Sequence, residues 1–392
     1  MTEVGGRAEA AVRRWWGRLP ASLRAALVPF AVARLVVGGA LGMAHFVVDR
    51  THPAAPGVAA RVHQGLLGWD AGWYETIARH GYAALGRESL RFFPAVPLLT
   101  HVVAWVPGVG DGVALVLLAN AAALAATALL YLLVRRDTGE AAVARRAVWI
   151  LSLLPAAFVL VMGYAESLLL VLALGCFLAL RPWPERAGAR PNFWLAAALG
   201  FGAALTRPVG VLLVVAVVTE LVRWWTRLGR GERVAGVIAS VAPMAGLVAF
   251  GAWAEHTVGD WWAPLRVQLQ GAHHGGLADP LATLSHDARG VLHHHVGTAL
   301  HVPWTLLALA LLVVCWRRLP ASYTLFAAAV LAMAVAGTNL DSFERYALSA
   351  FPLTVAAALV LVNTQVERAV LALLASGLAG YALLAFLNIS VP

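Results

Sequence analysis

The sequence predicts an all-α membrane protein that crosses the bilayer many times. Of its 392 residues, 61% are hydrophobic and 12% are charged, about half the charged fraction of an ordinary soluble domain. Apolar runs of 13 to 24 residues recur along the whole chain. The two cysteines, Cys176 and Cys315, lie far apart within such runs, so no disulfide framework is expected.

The apolar runs predict eleven spans in one membrane domain over residues 1–392. Several runs are shorter than the roughly 20 residues that cross a bilayer unaided, so neighbouring helices should shield their ends. The first run is too long for a cleaved signal peptide and is interpreted as a retained span. The predicted spans are 25–48, 112–134, 147–162, 165–180, 193–205, 208–222, 234–253, 302–316, 321–337, 347–363 and 369–388.

Arginine placement predicts the orientation of these spans. All 29 basic residues are Arg, and with the N-terminus inside, 19 of them fall in cytoplasmic segments and nine in the longer outer segments. This asymmetry follows the positive-inside rule. Cytoplasmic anchoring therefore explains the net charge of +9 better than nucleic-acid binding does.

Residues 92–107 are apolar but short, and they contain three prolines. If this segment crossed, the total would be twelve spans and the arginine asymmetry would reverse. We therefore expect a re-entrant or interfacial element. Two large outer loops result, 49–111 with an amphipathic helix and this element, and 254–301, which is rich in histidine.

The histidines of the second loop could bind a metal through imidazole. Without spaced acidic or Cys ligands the pattern is weak, so no metal ligand is assigned and no cofactor is required, although a divalent metal stays possible. These histidines are His273, His274, His286, His293, His294, His295 and His301.

The segment WDAGWYETIARHGY, residues 69–82, places an acid directly after the first span. Trp69, Trp73 and Ile77 recur at helical spacing, which predicts an apolar stripe on a helix lying at the membrane interface. Asp70 would then meet a lipid-borne head group on one side and a soluble acceptor on the other. It is the candidate general base, and a helix N-cap is the structural alternative.

Four neighbours of Asp70 are candidate substrate contacts. Tyr74 and His80 could bind a sugar or phosphate, although interfacial anchoring also explains Tyr74. Trp73 belongs to the same aromatic stripe. Glu75 points to another side of an ideal helix, where solvation is the simpler explanation.

Three further charges interrupt apolar sequence on the predicted outer side. Glu166, in MGYAESLLL with Tyr164 beside it, would carry a high desolvation cost unless it were paired or lay in a wet cavity. Arg207, in ALTRPVG, must find an anion, either Glu166 or a lipid phosphate. Arg345, in NLDSFERYALSAFP, could bind a phosphate or a sugar, or could pair locally with the acids beside it.

Several motifs resemble the PIG-V-type mannosyltransferases of the GT-C superfamily, which add the second mannose of GPI anchors and have bacterial relatives. The similar motifs, in chain order, are WD followed by IARHGY, then FFPAVPLL, GYAES, ALTRPVG and RYALSAFPL. The resemblance runs from about residue 66 to 355. It implies a multi-helical GT-C fold and a polyprenyl-phosphate sugar donor, typically mannose, on the outer face. It also implies that Asp70 is the catalytic base.

These observations predict inverting transfer of a hexose to an acceptor hydroxyl at the outer leaflet. Asp70 would activate the hydroxyl, Arg207 and Arg345 would stabilise the departing lipid phosphate, and Glu166 would orient the sugar. The acceptor, whether glycan, lipid or protein, stays open. A carrier or flippase for lipid-linked sugars is the alternative from another class, and a scaffold subunit is a third. No Walker A or GxGxxG pattern indicates a nucleotide donor.

Overall fold

A computed structural model describes residues 16–50, 56–182, 188–270, 276, 278–290, 301–338, 340 and 343–389. The regular elements of these residues are helices. Those used below are α1 (Ala21–Arg50), α2 (Pro56–Gln64), α3 (Asp70–His80), α4 (Ala95–Val103), α5 (Asp111–Thr138), α6 (Ala141–Leu153), α7 (Glu166–Leu180), α8 (Phe193–Thr206), α9 (Leu213–Trp224), α10 (Arg230–Val258), α11 (Ala263–Gln268), α12 (Pro280–Gly290), α13 (His301–Arg318), α14 (Ala321–Val335), α15 (Phe343–Ser349), α16 (Phe351–Val360) and α17 (Thr364–Phe386).

The all-helical class and the membrane location are confirmed. Within the described residues, five helices are long and apolar enough to cross a membrane, and α15 with α16 make a sixth if this pair, bent by 81°, counts as one span. Three shorter apolar helices accompany them, namely α7, α8 and α14. The total of eleven spans stays a prediction.

The break between α8 and α9 shows how local sequence shapes the bundle. Helix α8 ends at Thr206, and Pro208 then begins a short 3-10 turn because proline cannot continue the preceding helical hydrogen bonds. Gly210 in this turn lies so close to α8 that a Cβ there would meet the carbonyl oxygen of Ala203 at 2.1 Å. The break therefore requires glycine at this position.

The prediction that Trp69, Trp73 and Ile77 form one apolar stripe on α3 is wrong. Trp69 lies outside α3 with a positive φ of 58°, and Trp73 is 36% exposed. The buried face of α3 is formed instead by Ala71, Tyr74, Ile77 and Ala78. Packing of α3 against α4 and α5 selects this face, which helical spacing alone could not.

The segment 92–107 contains α4, which has nine residues and is about 14 Å long. The hydrocarbon layer is about 30 Å thick, so a helix of this length covers less than half of it. Its sides contact α3 and α5. Whether the segment enters the membrane stays a prediction.

A buried ionic network joins the ends of α5, α7, α9 and α14. Asp137 accepts hydrogen bonds from Arg181 Nε at 2.7 Å and from the Tyr323 hydroxyl. Glu220, 1% exposed, accepts bonds from Arg181 Nη1 at 3.0 Å and from Ser322 Oγ at 2.6 Å. Arg181 therefore bridges the two acids and fastens four helices to one another.

Glu220→Gln is expected to lower the free energy of unfolding by about 3 kcal/mol, because it leaves the largely buried Arg181 with one anionic partner fewer. Thermal unfolding in detergent measures this effect. Glu232→Gln is the control, since Glu232 forms an ion pair with Arg190 at 37% side-chain exposure and such pairs contribute about 0–1 kcal/mol. Equal losses for the two variants would contradict the importance of the network.

Candidate active site

The structure brings five charged side chains from distant parts of the sequence into one cluster. Asp70 lies at its centre. Its Oδ2 accepts a hydrogen bond from Arg345 Nη1 at 2.6 Å, and its Oδ1 accepts one from Arg91 Nη2 at 3.1 Å. Its side chain does not cap α3, since the N-cap is Trp69 and no side-chain cap bond forms. The carboxylate is therefore committed to the cluster.

The second carboxylate continues the cluster inward. Glu166 Oε1 lies 3.3 Å from Arg345 Nε and in direct contact with Arg207 Nη1. Glu166 is 1% exposed, and its Oε2 has no hydrogen-bond partner among the described residues. A buried oxygen of this kind is an acceptor that a ligand hydroxyl could use. The sequence left two anions open for Arg207, Glu166 or a lipid phosphate. In the structure Arg207 pairs with Glu166.

Helix ends and a helix break position these groups. Asp70 and Glu166 are the first residues of α3 and α7, where the helix dipole favours a negative charge. Arg207 follows the last residue of α8 at the proline break, and Arg345 lies in the short helix α15. A hydrogen bond from Gly163 N–H to the Leu66 carbonyl, 3.1 Å long, joins the chain before α7 to the chain before α3.

The described cluster holds three guanidinium groups and two carboxylates, so one positive charge is in excess. Burial opposes ionisation of Asp70, but the charges of Arg345, Arg91 and Arg207 outweigh it and hold its pKa below the ordinary value. Asp70 is therefore an anion at neutral pH. The excess positive charge makes the cluster suited to binding an anion.

Two phenols line the cluster. The backbone N–H of Asp70 donates to the Tyr164 hydroxyl at 3.4 Å, and the Arg345 guanidinium lies 5.5 Å from the Tyr164 ring centroid. Burial raises the pKa of both Tyr164 and Tyr74 well above the ordinary value. Both phenols stay protonated and can donate hydrogen bonds.

The other candidates from the sequence lie farther out on α3. Trp73 stacks on Phe92 with the ring centroids 5.5 Å apart. Glu75 forms an ion pair with Arg79 at 2.8 Å, and His80 is exposed at the end of the helix. Among the described contacts, none joins Glu75 or His80 to the Asp70 cluster. Their roles as substrate contacts stay predictions.

Sequence reasoning missed Arg91 and Tyr346. Arg91 ends a 3-10 turn and reaches Asp70 because the following residue, Phe92, packs under Trp73 and Tyr74. Tyr346 places its ring 4.9 Å from the Arg207 guanidinium. The available signal for Arg91 was a single charge directly before the apolar segment 92–107. For Tyr346 it was only its position next to Arg345.

Glu344, a local partner expected for Arg345, contacts another residue instead. Glu344 Oε1 accepts a hydrogen bond from His301 Nδ1 at 3.0 Å, while Arg345 turns to Asp70 and Glu166. Among the described residues, no group of three His, Cys, Asp or Glu side chains could hold a metal ion. His273, His274, His293, His294 and His295 lie outside the described residues, and His286 is exposed on α12.

The described residues also line an apolar cavity. It lies between α6, α13, α15 and α16, and Glu344, which directly precedes Arg345, contributes to its wall. The remaining lining is almost entirely apolar and includes Leu154, Trp304, Leu311 and Phe343. The long apolar helices define the class of this protein as an integral membrane protein, and its charged cluster is the candidate site.

No protein-family model and no curated protein sequence matches the chain. Among solved structures, the chain is similar to an oligosaccharyltransferase of Archaeoglobus fulgidus, crystallised with zinc and sulfate, at a TM-score of 0.42 and 13% identity. The similarity covers 76% of this chain and 44% of that chain, so this chain spans less than half the length of that structure.

Proposed function

We propose that the protein is a GT-C-type glycosyltransferase that moves a hexose, typically mannose, from a polyprenyl-phosphate sugar to an acceptor hydroxyl on the extracytoplasmic face. The observation that carries this proposal is the contact of Asp70 with Arg345 and, through Arg345, with Glu166. One carboxylate for an acceptor, one for a sugar and two guanidinium groups for a phosphate, those of Arg207 and Arg345, lie with Arg91 within one largely buried cluster.

The proposed reaction inverts the anomeric carbon. The acceptor oxygen attacks C1 of the hexose as the bond from C1 to the phosphate oxygen breaks, and the electron pair leaves with the polyprenyl phosphate. Arg345 and Arg207 stabilise the negative charge that develops on the leaving phosphate. The acceptor proton passes to Asp70 and then to solvent.

The low pKa of Asp70 limits how strongly this carboxylate can act as a base. A carboxylate held by Arg91 and Arg345 is a weak base towards a free hydroxyl. It still has lone pairs for a third hydrogen bond, so it orients the acceptor and takes the proton late, when bond formation has made the hydroxyl acidic. Glu166 Oε2 accepts a hydrogen bond from a sugar hydroxyl.

The apolar cavity lined in part by Glu344, the residue before Arg345, supports a lipid-linked donor, because its lining suits a hydrocarbon chain rather than a soluble nucleotide. The extracytoplasmic placement of the site follows from the arginine distribution along the sequence. Membrane lipid and an acceptor glycan, lipid or protein are the proposed partners, with no nucleic acid.

A carrier for lipid-linked sugars is the second candidate. Carriers open alternately to both faces, often by rocking repeated halves around a site at the bilayer midplane. Here the network of Asp137, Arg181 and Glu220 fastens four helices at ends remote from Glu166, which begins α7 while Arg181 follows its last residue. This network favours the enzyme. A scaffold role would assign no function to the Asp70 cluster.

Purified protein incubated with mannosyl phosphoryl polyprenol and a panel of glycan, lipid and peptide acceptors tests the proposal. We expect release of free polyprenyl phosphate together with a glycosylated acceptor. In liposomes, donor that changes leaflet without release of polyprenyl phosphate would instead identify a carrier. Release of neither product with any hexosyl donor would exclude the proposed function.

A further inference from the structure

The residue before Asp70 adopts a strained backbone conformation. Trp69 has φ 58° and ψ −128°, a region that L-residues with large side chains rarely occupy. In the described part of the chain, one other non-glycine residue, Asn388, has a positive φ. Asparagine tolerates such values far better than tryptophan does. Strain at a bulky residue persists only where surrounding contacts hold it.

Two contacts hold the Trp69 ring. Its indole Nε1–H donates to the carbonyl of Ala385, near the end of α17, at 3.0 Å. The guanidinium of Arg61, on α2, lies 4.1 Å from the ring centroid. These contacts attach the start of α3 to two helices that are distant in sequence.

Arg61 is itself held in place from both sides. Its Nη1 donates to Gln64 Oε1 at 2.8 Å, and its Nε donates to Asn388 Oδ1 at 3.4 Å. Arg61 therefore connects the two non-glycine residues of positive φ, Trp69 and Asn388. We name this set of residues, Arg61, Trp69, Ala385 and Asn388, the tryptophan clasp.

The tryptophan clasp fixes the backbone direction at the start of α3. The backbone angles of Trp69 set the direction of the Asp70 N–H, which points to the Tyr164 hydroxyl at 3.4 Å. They also set the position of the Asp70 Cα, from which the side chain extends to Arg345 and Arg91. A relaxed Trp69 would rotate the first turn of α3 and move the carboxylate.

We propose that Trp69 is a positioning residue for transfer and that the tryptophan clasp holds Asp70 in the geometry that the reaction needs. The inference rests on the proposed function. A structural role alone would need no tryptophan here, because glycine adopts these backbone angles without strain. The clasp instead joins α2 and the end of α17 to the reacting carboxylate.

The test compares Trp69→Phe, Trp69→Gly and Arg61→Gln with the full-length wild-type protein, by kcat, donor KM and thermal unfolding. Trp69→Phe loses the indole donor but keeps a ring for Arg61. Trp69→Gly removes the backbone strain together with the clasp. For each variant we expect kcat to fall about ten- to a hundredfold with donor KM unchanged, as a small misplacement of a reacting group produces.

Two features distinguish positioning from stability. Arg61→Gln keeps the Trp69 ring and its packing, so this variant should unfold close to the wild-type temperature and still turn over slowly. The double variant Arg61→Gln/Trp69→Phe should lose less than the product of the single losses, since both act through one ring. Trp316→Phe is the control, because Trp316 is 79% exposed on another helix, and its turnover should equal that of wild type.

Wild-type kcat in folded Trp69→Phe and Arg61→Gln would overturn the inference. So would losses of kcat that only follow the loss of folded protein. In both cases the wild-type protein still transfers sugar, and the proposed function stands. Absence of transfer by the wild-type protein would instead overturn the proposed function, and with it the role assigned to Trp69.

Discussion

Asp70→Asn is expected to reduce transfer by about a hundred- to ten-thousandfold, the usual loss when a positioned acid–base group is removed. The amide keeps the shape of the side chain but cannot take the acceptor proton, and it leaves Arg91 and Arg345 with less negative charge. Initial rates of polyprenyl phosphate release from purified protein measure the effect.

Asp111→Asn is the matched control for this variant. The side chains of Asp111 and Asp70 are 19% and 18% exposed, and Asp111 also accepts from an arginine, Arg79, at 3.2 Å. Asp111 lies outside the cluster, so its amide variant should transfer sugar at the wild-type rate. Turnover near the wild-type rate in folded Asp70→Asn would remove Asp70 from the mechanism.

The second large effect is expected at Arg345, which contacts both carboxylates. Arg345→Lys retains the charge but loses the planar fork that reaches Asp70 and Glu166 together. Loss of one preformed contact to a developing anion typically lowers kcat about a hundred- to a thousandfold. We expect a fall of this size in kcat, measured as release of polyprenyl phosphate at saturating donor.

Arg146→Lys provides the comparison. Arg146 and Arg345 each have side chains that are 10% exposed, and Arg146 also pairs with a carboxylate, Glu367, at 3.0 Å. Both substitutions disturb a buried ion pair, so both should lower the unfolding temperature. Only Arg345→Lys should lower the kcat of the folded protein. Equal kcat losses would show that destabilisation, not phosphate stabilisation, explains the effect.

Asp70 also makes the stability of the cluster depend on pH. Its pKa is lower in the folded protein than in the unfolded chain, because the nearby arginines outweigh the burial that raises it. The stabilisation is thus complete above the unfolded value of about 3.9 and is lost as the pH falls through the lower folded value.

Local composition was enough to predict the helical membrane class and the approximate positions of most helices. Runs of apolar residues of helical length depend on the sequence alone, since a polar backbone in lipid must satisfy its own hydrogen bonds. The break at Pro208 was predictable for the same reason, because the missing N–H is a property of the residue. Charge within apolar sequence likewise singled out Glu166 and Arg207.

The tertiary structure alone decided which of these charges meet and what they leave to a ligand. Arg91 became part of the cluster through aromatic packing of the next residue, and Arg345 turned to Asp70 rather than to a neighbouring acid. Trp69 left the predicted stripe because contacts with Arg61 and Ala385 hold it at a positive φ. Such outcomes depend on residues more than 250 positions apart in the case of Asp70 and Arg345, and periodicity along one helix carries no information about them.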